Sequence, residues 1–361
     1  MMTVGGTGEI AMTMVRILRS IGYPVTSLAY PDGSRLLLLP HGARVLGLYT
    51  ASDDQNFFWT NPALEAAKTA RAFFKSDNWH NSGGDRTWIS PEIDIFFPNF
   101  PKLEVYRVPP QLDPGHYEPV GRNAVSYSGS CTLSLGRSRQ TIRLKILKSW
   151  GSAPNPLRYE AKWKSLKSVQ YAGYTQRTTL RLVRGSDQQA ATGGIWNLLQ
   201  LPPGGDFLAP THTRTQPTVY FGTIPRGDLV TQQHAVRYTM SAQGVQKIGI
   251  PASAATGRAG YLYQQGGRWA LVVRNFFVDP SGEYVDVPWN RDGQVGDRGI
   301  AIQACNVHCD LGRFAEMEYH APALGGYTGV TCREDVSQVW AFRGPRKLIQ
   351  MIAHLLVSSP A

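Results

Sequence analysis

The segment Phe314–His320 reads Phe-Ala-Glu-Met-Glu-Tyr-His, so Glu316, Glu318 and His320 alternate with Ala315, Met317 and Tyr319. On a β-strand that spacing places two carboxylates and an imidazole on one face, neighbours about 7 Å apart. On an exposed face such a row is only a solvated surface. In a cleft it is an acid/base set, because adjacent carboxylates raise one another's pKa and favour a charged imidazole. A second cluster spans Asn78–Glu92 and holds Trp79, His80, Gly83, Gly84, Arg86, Trp88 and Glu92. The glycine pair permits a tight turn and close approach of the backbone to a ligand. Arg86 presents a planar fork for a carboxylate or for paired hydroxyls, and Trp79 and Trp88 are flat plates suited to the C–H face of a sugar ring. The alternative is a structured loop in which Arg86 pairs with Asp85 or Glu92.

Three further segments carry candidate groups. Gly193–Gly205 has Trp196 and Gln200 ahead of a Gly-rich turn. In Gln246–Pro251, Lys247 lies between apolar residues; a buried ammonium there needs an anion or hydroxyl partner, whereas at a sheet edge it snorkels to water. Asn275–Pro288 contains a turn at Asp279–Gly282 and Asp286 as a candidate cleft residue.

Other chemistries lack their residues. Cys305-Asn-Val-His-Cys309 offers three ligands, whereas a structural zinc site takes four, usually in paired knuckles, so no metal is expected. Val4–Gly8 resembles part of a phosphate loop, but no strand precedes it and no acidic residue follows in a β-α-β frame; no cofactor is expected. There is no Gly-x-Ser-x-Gly elbow, and no Cys has a neighbouring His in a catalytic signature.

The elements that must position these groups are mostly strands. Glu9–Gly22 has the apolar spacing of a helix (Ile10, Met14, Ile17, Leu18, Ile21) with Gly22 as its cap. Val25–Tyr30, Arg35–Leu39 and Arg44–Tyr49 are short strands separated by turn residues. Pro62–Phe74 is a short helical stretch with Pro in its first turn. Strand patterns then recur over Ser130–Leu135, Thr141–Ser149, Arg158–Ser165, Thr178–Val183, Ile195–Gln200, Thr218–Gly222, Arg237–Ser241, Tyr261–Tyr263, Trp269–Phe276, Ile300–Asn306, Phe314–His320 and Ser337–Phe342. No crossover helix separates them, which predicts antiparallel sheets packed as a large all-β sandwich or barrel. Pro345–Leu356 closes the chain as a helix. The expected organisation is an N-terminal helical segment over 1–24 and one β domain over 25–361.

Composition agrees with a folded chain. Of 361 residues 42% are hydrophobic and 11% aromatic, too apolar for disorder. Lys and Arg outnumber Asp and Glu by 37 to 26, a net charge of +11. The bases are scattered; the densest run, Arg137–Lys148, alternates Arg139, Arg143 and Lys145 on what reads as one solvated face. No nucleic-acid partner is therefore expected, and the positive balance suits an anionic sugar such as a uronate better. No apolar stretch of about 18 residues exists to span a membrane, and no signal sequence is evident. With four Cys, a cytoplasmic location with reduced thiols is expected.

Taken in order, several motifs resemble the galactose mutarotase-like (aldose 1-epimerase-like) supersandwich family. They are Leu-Pro-His-Gly-Ala-Arg-Val-Leu-Gly-Leu48, Asn56-Phe-Phe-Trp-Thr-Asn61, Gly83-Gly-Asp-Arg-Thr-Trp-Ile-Ser-Pro-Glu92 and Met317-Glu-Tyr-His-Ala-Pro322. The resemblance covers most of residues 25–356. It implies large curved antiparallel sheets with a sugar cleft on the concave face, Trp59 at that cleft and Glu318 in the place of the general base. The family's general-acid His has no counterpart in Trp196–Leu201, so His320 or His80 would take that role. Two classes of function follow. One is a carbohydrate-active enzyme with Glu318, His320 and Glu92 as catalytic residues and Arg86, Trp88, Trp59, His80, Lys247, Trp196 and Gln200 as substrate-binding residues. An epimerase or mutarotase leads. A glycosidase would use Glu92 with Glu318, and a lyase would use His320, Tyr319, Arg86 and Lys247. The other class is a carbohydrate-binding protein without turnover.

Overall fold

The computed structural model describes residues 9–121, 125–160, 166, 168–183, 191–241, 243–289 and 299–358, with side chains from 13 onward. Numbered in chain order, the strands form two ten-stranded antiparallel sheets among these residues. The first runs β1 (Thr26–Ala29), β2 (Arg35–Leu39), β3 (Arg44–Tyr49), β4 (Asp85–Ser90), β9 (Thr192–Leu201), β18 (Gly312–His320), β17 (Ile300–Cys309), β14 (Gly244–Pro251) and β11 (Thr218–Phe221), with β19 (Leu324–Gly325) beside β9. The second runs β12 (Leu229–Thr231), β13 (Ala235–Thr239), β10 (Asp206–Pro210), β15 (Arg258–Gln265), β16 (Arg268–Asn275), β20 (Cys332–Gly344), β8 (Gln170–Leu182), β7 (Gln140–Ser152), β6 (Ser126–Leu135) and β5 (Tyr117–Pro119). The all-β expectation holds.

The main core lies between the sheets. Val45, Leu199, Ile248, Ala304 and Met317 of the first sheet meet Tyr174, Phe207, Tyr261, Val272 and Ala341 of the second. Each strand buries alternate residues there, which turns the intervening residues outward. On the outer side of the second sheet, helix α4 (Arg346–Val357) lays Ile349, Ile352 and Leu356 on Leu271, Val273 and Phe342. Helix α1 (Glu9–Ser20) and helix α2 (Ala67–Lys75) cover Leu37, Leu39 and Leu46 of the first sheet. The middle of that sheet's outer face, β4-β9-β18-β17-β14, is covered by no described helix and carries charged side chains among aromatic and aliphatic ones. A single turn of helix, α3 (Glu92–Ile95), follows β4 and brings Glu92 to that face.

Three differences from the sequence expectations have physical causes. Asp85–Ser90 forms β4 in mid-sheet rather than a loop, because its polar side chains find partners on both faces. Residues 158 and 159 are turn and 160 is irregular rather than strand, and 161–165 lie outside the described residues, as does Val4–Gly8. The stretch after Asn61 divides into a 3-10 turn, Pro62–Glu65, and α2; the Asn61 side chain accepts from the Ala63 N–H (2.9 Å) and starts the turn.

Candidate functional site

Five strands turn alternate residues into one cavity of about 430 Å³. β4 contributes Arg86 and Trp88, β9 Trp196 and Leu198, β18 Glu316 and Glu318, β17 Cys305 and Val307, and β14 Val245 and Lys247. Glu92, Tyr106, Trp289 and Phe221 close the sides. Neighbouring strands fix the pairing: Arg86 lies opposite Leu198, Leu198 opposite Glu318, and Lys247 opposite Cys305, which faces Glu316. The ion pairs run diagonally across this lattice, as long side chains can. Arg86 Nη2 donates to Glu316 Oε1 at 2.8 Å. Lys247 Nζ lies 3.1 Å from both Glu318 Oε2 and Glu92 Oε2.

Aromatic rings hold the charged groups. The Arg86 guanidinium sits 4.2 Å from the Trp88 ring centroid and 5.2 Å from that of Trp79. The Lys247 ammonium is 4.5 Å from the Trp196 ring, a cation–π contact strengthened by desolvation. Both indole N–H groups of Trp79 and Trp88 donate to Asp113 Oδ2 (3.1 and 2.9 Å), whose other oxygen accepts from Arg44 at 2.5 Å. Trp196 Nε1 donates to Glu318 Oε2 at 2.8 Å. Tyr106 and Trp289 donate to the two oxygens of Glu92, at 3.0 and 3.1 Å. Two groups are left over: Glu318 Oε1 and the Nε and Nη1 of Arg86 are buried with no hydrogen-bond partner among the described residues.

Three carboxylates share two cations here, and the proton affinities follow. Burial pushes the Glu318 carboxyl up to about 7; Glu316 and Glu92 push the same way, and Lys247 opposes them. Glu92 is likewise raised, chiefly by burial, with Asp286 adding to it. Burial alone would discharge Lys247, but Glu318 and Glu92 outweigh it and raise its pKa, so the ammonium stays charged.

Cys305, Glu316 and Glu318 also present ligand atoms within 4.8 Å of one another. They do not suit a metal ion. Arg86 and Lys247 already neutralise the two carboxylates, and burial holds the Cys305 thiol well above its usual value, hence protonated.

The sequence candidates fall into three groups. Glu318, Glu92, Arg86, Trp88, Lys247 and Trp196 line the cavity. Gln200 and Trp59 lie behind its wall: Gln200 donates to Glu316 Oε1 at 2.9 Å, and Trp59 packs on Phe314. His320 and His80 are elsewhere. His320 stacks behind Trp196, its Nε2 2.9 Å from Gln303 Oε1, and burial lowers its pKa to about 4, so it is neutral rather than charged. His80 packs among Phe73, Phe74 and His41 with Nε2 on the Ser76 carbonyl. Tyr319 points to the inter-sheet core and donates to Asp335. Asp286 sits behind the wall and accepts from the Glu92 N–H at 2.7 Å. Arg86 pairs with Glu316, not with Asp85 or Glu92. Gly83 and Gly84 serve the chain itself: both have positive φ, and a Cβ on Gly84 would meet the Val45 carbonyl oxygen at 2.0 Å. Tyr106, Trp289, Phe221 and Asp113 were not among the candidates; they lie in loops or at a sheet edge, where no periodicity marks them.

An all-β sandwich with a charged, aromatic-walled cavity on one sheet defines the class. Residues 30–358 match the family described as "Family of unknown function (DUF6786)", and the chain belongs to it. No curated protein matches the sequence. Among solved structures the fold is similar to a galactose mutarotase-like protein from Lactobacillus casei (8% identity, TM-score 0.45, 89% of this chain and 99% of that one). It is similar too to a putative aldose 1-epimerase from Escherichia coli K12 (10%, 0.48, 89% and 99%) and to the Slr1438 protein of Synechocystis (10%, 0.49, 88% and 95%). At such identities no side-chain role carries over, and the site stands on its own residues. No described helix is long and apolar enough to cross a membrane, and all four cysteines are free.

Proposed function

We propose that the protein is a carbohydrate-active acid/base enzyme that interconverts the anomers of a neutral sugar, with Glu318 as the base. The observation that carries this reading is Glu318 itself: one oxygen is locked by Trp196 and Lys247, the other is buried at the cavity wall with no hydrogen-bond partner among the described residues, and burial pushes the carboxyl up to about 7. A general base works best with a pKa near the working pH.

The step balances within the chain's own groups. Glu318 Oε1 takes the proton from the anomeric hydroxyl as C1=O forms and the bond from C1 to the ring oxygen breaks. Lys247, which stays charged, hydrogen-bonds to the ring oxygen and stabilises the alkoxide that forms there, while Glu318 holds the proton taken from the anomeric hydroxyl until the ring closes again and O1 takes it back. Rotation about C1–C2 and the reverse sequence close the other anomer. Glu92 anchors Lys247 through Oε2, while Trp88 and Trp196 wall the sugar and the spare N–H groups of Arg86 hold its hydroxyls. A neutral sugar suits the cavity better than a uronate, since both cations are already paired with carboxylates. Glycoside cleavage is disfavoured because Lys247 fills the space between Glu92 and Glu318, where the scissile bond would lie.

The test is saturation transfer between anomeric protons of a panel of neutral aldoses. Wild-type protein should accelerate exchange for at least one. Glu318→Gln should lower that rate by about 10²–10⁴ while sugar-induced line broadening persists. No acceleration across the panel, or a Glu318→Gln protein at wild-type speed, would refute the proposal.

A further inference from the structure

A second cavity, of about 750 Å³, adjoins the first. Trp79, Tyr106 and Leu311 line both. Its own walls mix apolar residues, Phe73, Val108, Pro110 and Pro114, with polar ones, among them His41, Asn61, Asn78 and Asn81. Two polar atoms in those walls are buried with no hydrogen-bond partner among the described residues, Asn81 Oδ1 and His41 Nε2. Asn81 is only 3% exposed. Its amide nitrogen is spent on the Leu311 carbonyl at 3.2 Å, and its backbone carbonyl on the Asn61 side chain at 3.1 Å, so the amide plane is fixed. A buried polar atom left bare costs stability unless something meets it. His41 is held edge-on by Tyr23 and Phe74, and burial keeps its ring neutral, able to donate or accept.

We infer that this outer cavity is a second sugar-ring subsite, so that the substrate is a reducing oligosaccharide of at least two rings. The inference rests on the reading of Glu318 given above, because anomer exchange puts the free anomeric carbon in the inner cavity. The next ring then passes over Trp79, whose indole is pinned by Asp113 between the two spaces. Neutral hydroxyls match the outer cavity: each can donate to Asn81 Oδ1 or exchange a hydrogen bond with His41.

Calorimetric titration with lactose, maltose, cellobiose and melibiose, set against glucose and galactose, tests this. At least one disaccharide should bind about tenfold or more tighter than either of its component sugars. Asn81→Leu should erase that advantage. Because Asn81→Leu also removes a bond to Leu311, Asp77→Trp, on the exposed rim, provides a second route by filling the outer cavity; it should erase the advantage as well. Equal affinity for disaccharides and monosaccharides, or an advantage that survives both variants, overturns the inference. If monosaccharide anomers are exchanged without a disaccharide advantage, the outer subsite falls and the catalytic reading stands. If the advantage is present and is lost in both Asn81→Leu and Asp77→Trp but no anomer exchange occurs, the subsite stands and the catalytic reading falls.

Discussion

Glu318 keeps its proton in the folded protein to a higher pH than a free carboxylate would, about 7 against 4.5. Between those values the folded chain binds more protons than the unfolded chain, so folding stability falls as pH climbs through that window and levels off above it. If Glu318 is the base proposed above, activity runs the other way, because a base must be ionised: kcat should rise as pH passes through about 7. In Glu318→Gln the stability decline should flatten and the rise in residual rate should vanish. Urea titrations between pH 4.5 and 8 read the first, and a pH–rate profile reads the second. A merely structural Glu318 would move stability without moving the profile. His320 makes the contrast: it shares the strand and the face, yet its ring is closed off by Trp196 and Gln303 and stays neutral.

At the scale of elements, β4 does two jobs with adjacent residues. Arg86 and Trp88 face the cavity, while Asp85 points between the sheets and pairs through both oxygens with Arg274 of β16, at 2.8 Å each. This pair, fully buried, ties the site strand to the opposite sheet. Asp85→Asn should cost about 3–5 kcal/mol of folding stability by leaving Arg274 charged and unpaired. Replacing both partners with apolar residues of similar size should recover most of it, and denaturant unfolding of the two variants beside wild type tests both outcomes. This strand also shows what was legible in the sequence. β2 and β3 carry runs of apolar residues between turn signals and their limits could be read directly; β18 alternates polar with apolar, which marks Phe314–His320 but not its first two residues, Gly312 and Arg313. Asp-Arg-Thr-Trp-Ile-Ser is buried on both faces by polar partners that lie elsewhere in the chain, so no period of two survives and the segment resembles a loop. Glu318, Arg86 and Lys247 could be named from residue type and setting. Their pairing could not, since it depends on which strands are neighbours, and β4, β9 and β18 are far apart in sequence.

Across the whole molecule the surplus of positive charge does not converge on the cavity. Arg143 and Lys145 are exposed on β7 of the second sheet, whereas the site holds more carboxylates than cations. The order of strands in the first sheet is the more telling global feature. β9 is central, bounded by β4 on one side and β18 on the other. During synthesis β4 is already available when Thr192–Leu201 leaves the ribosome, but β18 has not been made. At about 5–20 residues per second, that edge of β9 stays open for on the order of ten seconds. An unpaired apolar strand edge is a template for another chain. Biosynthesis therefore passes through an interval in which the future cavity wall offers the nascent chain an unpaired strand edge. Nascent chains arrested before Gly312 should be cleaved by protease within Thr192–Leu201, and chains arrested well beyond His320 should resist. Equal resistance in both would mean that another segment shields β9 until its partner arrives.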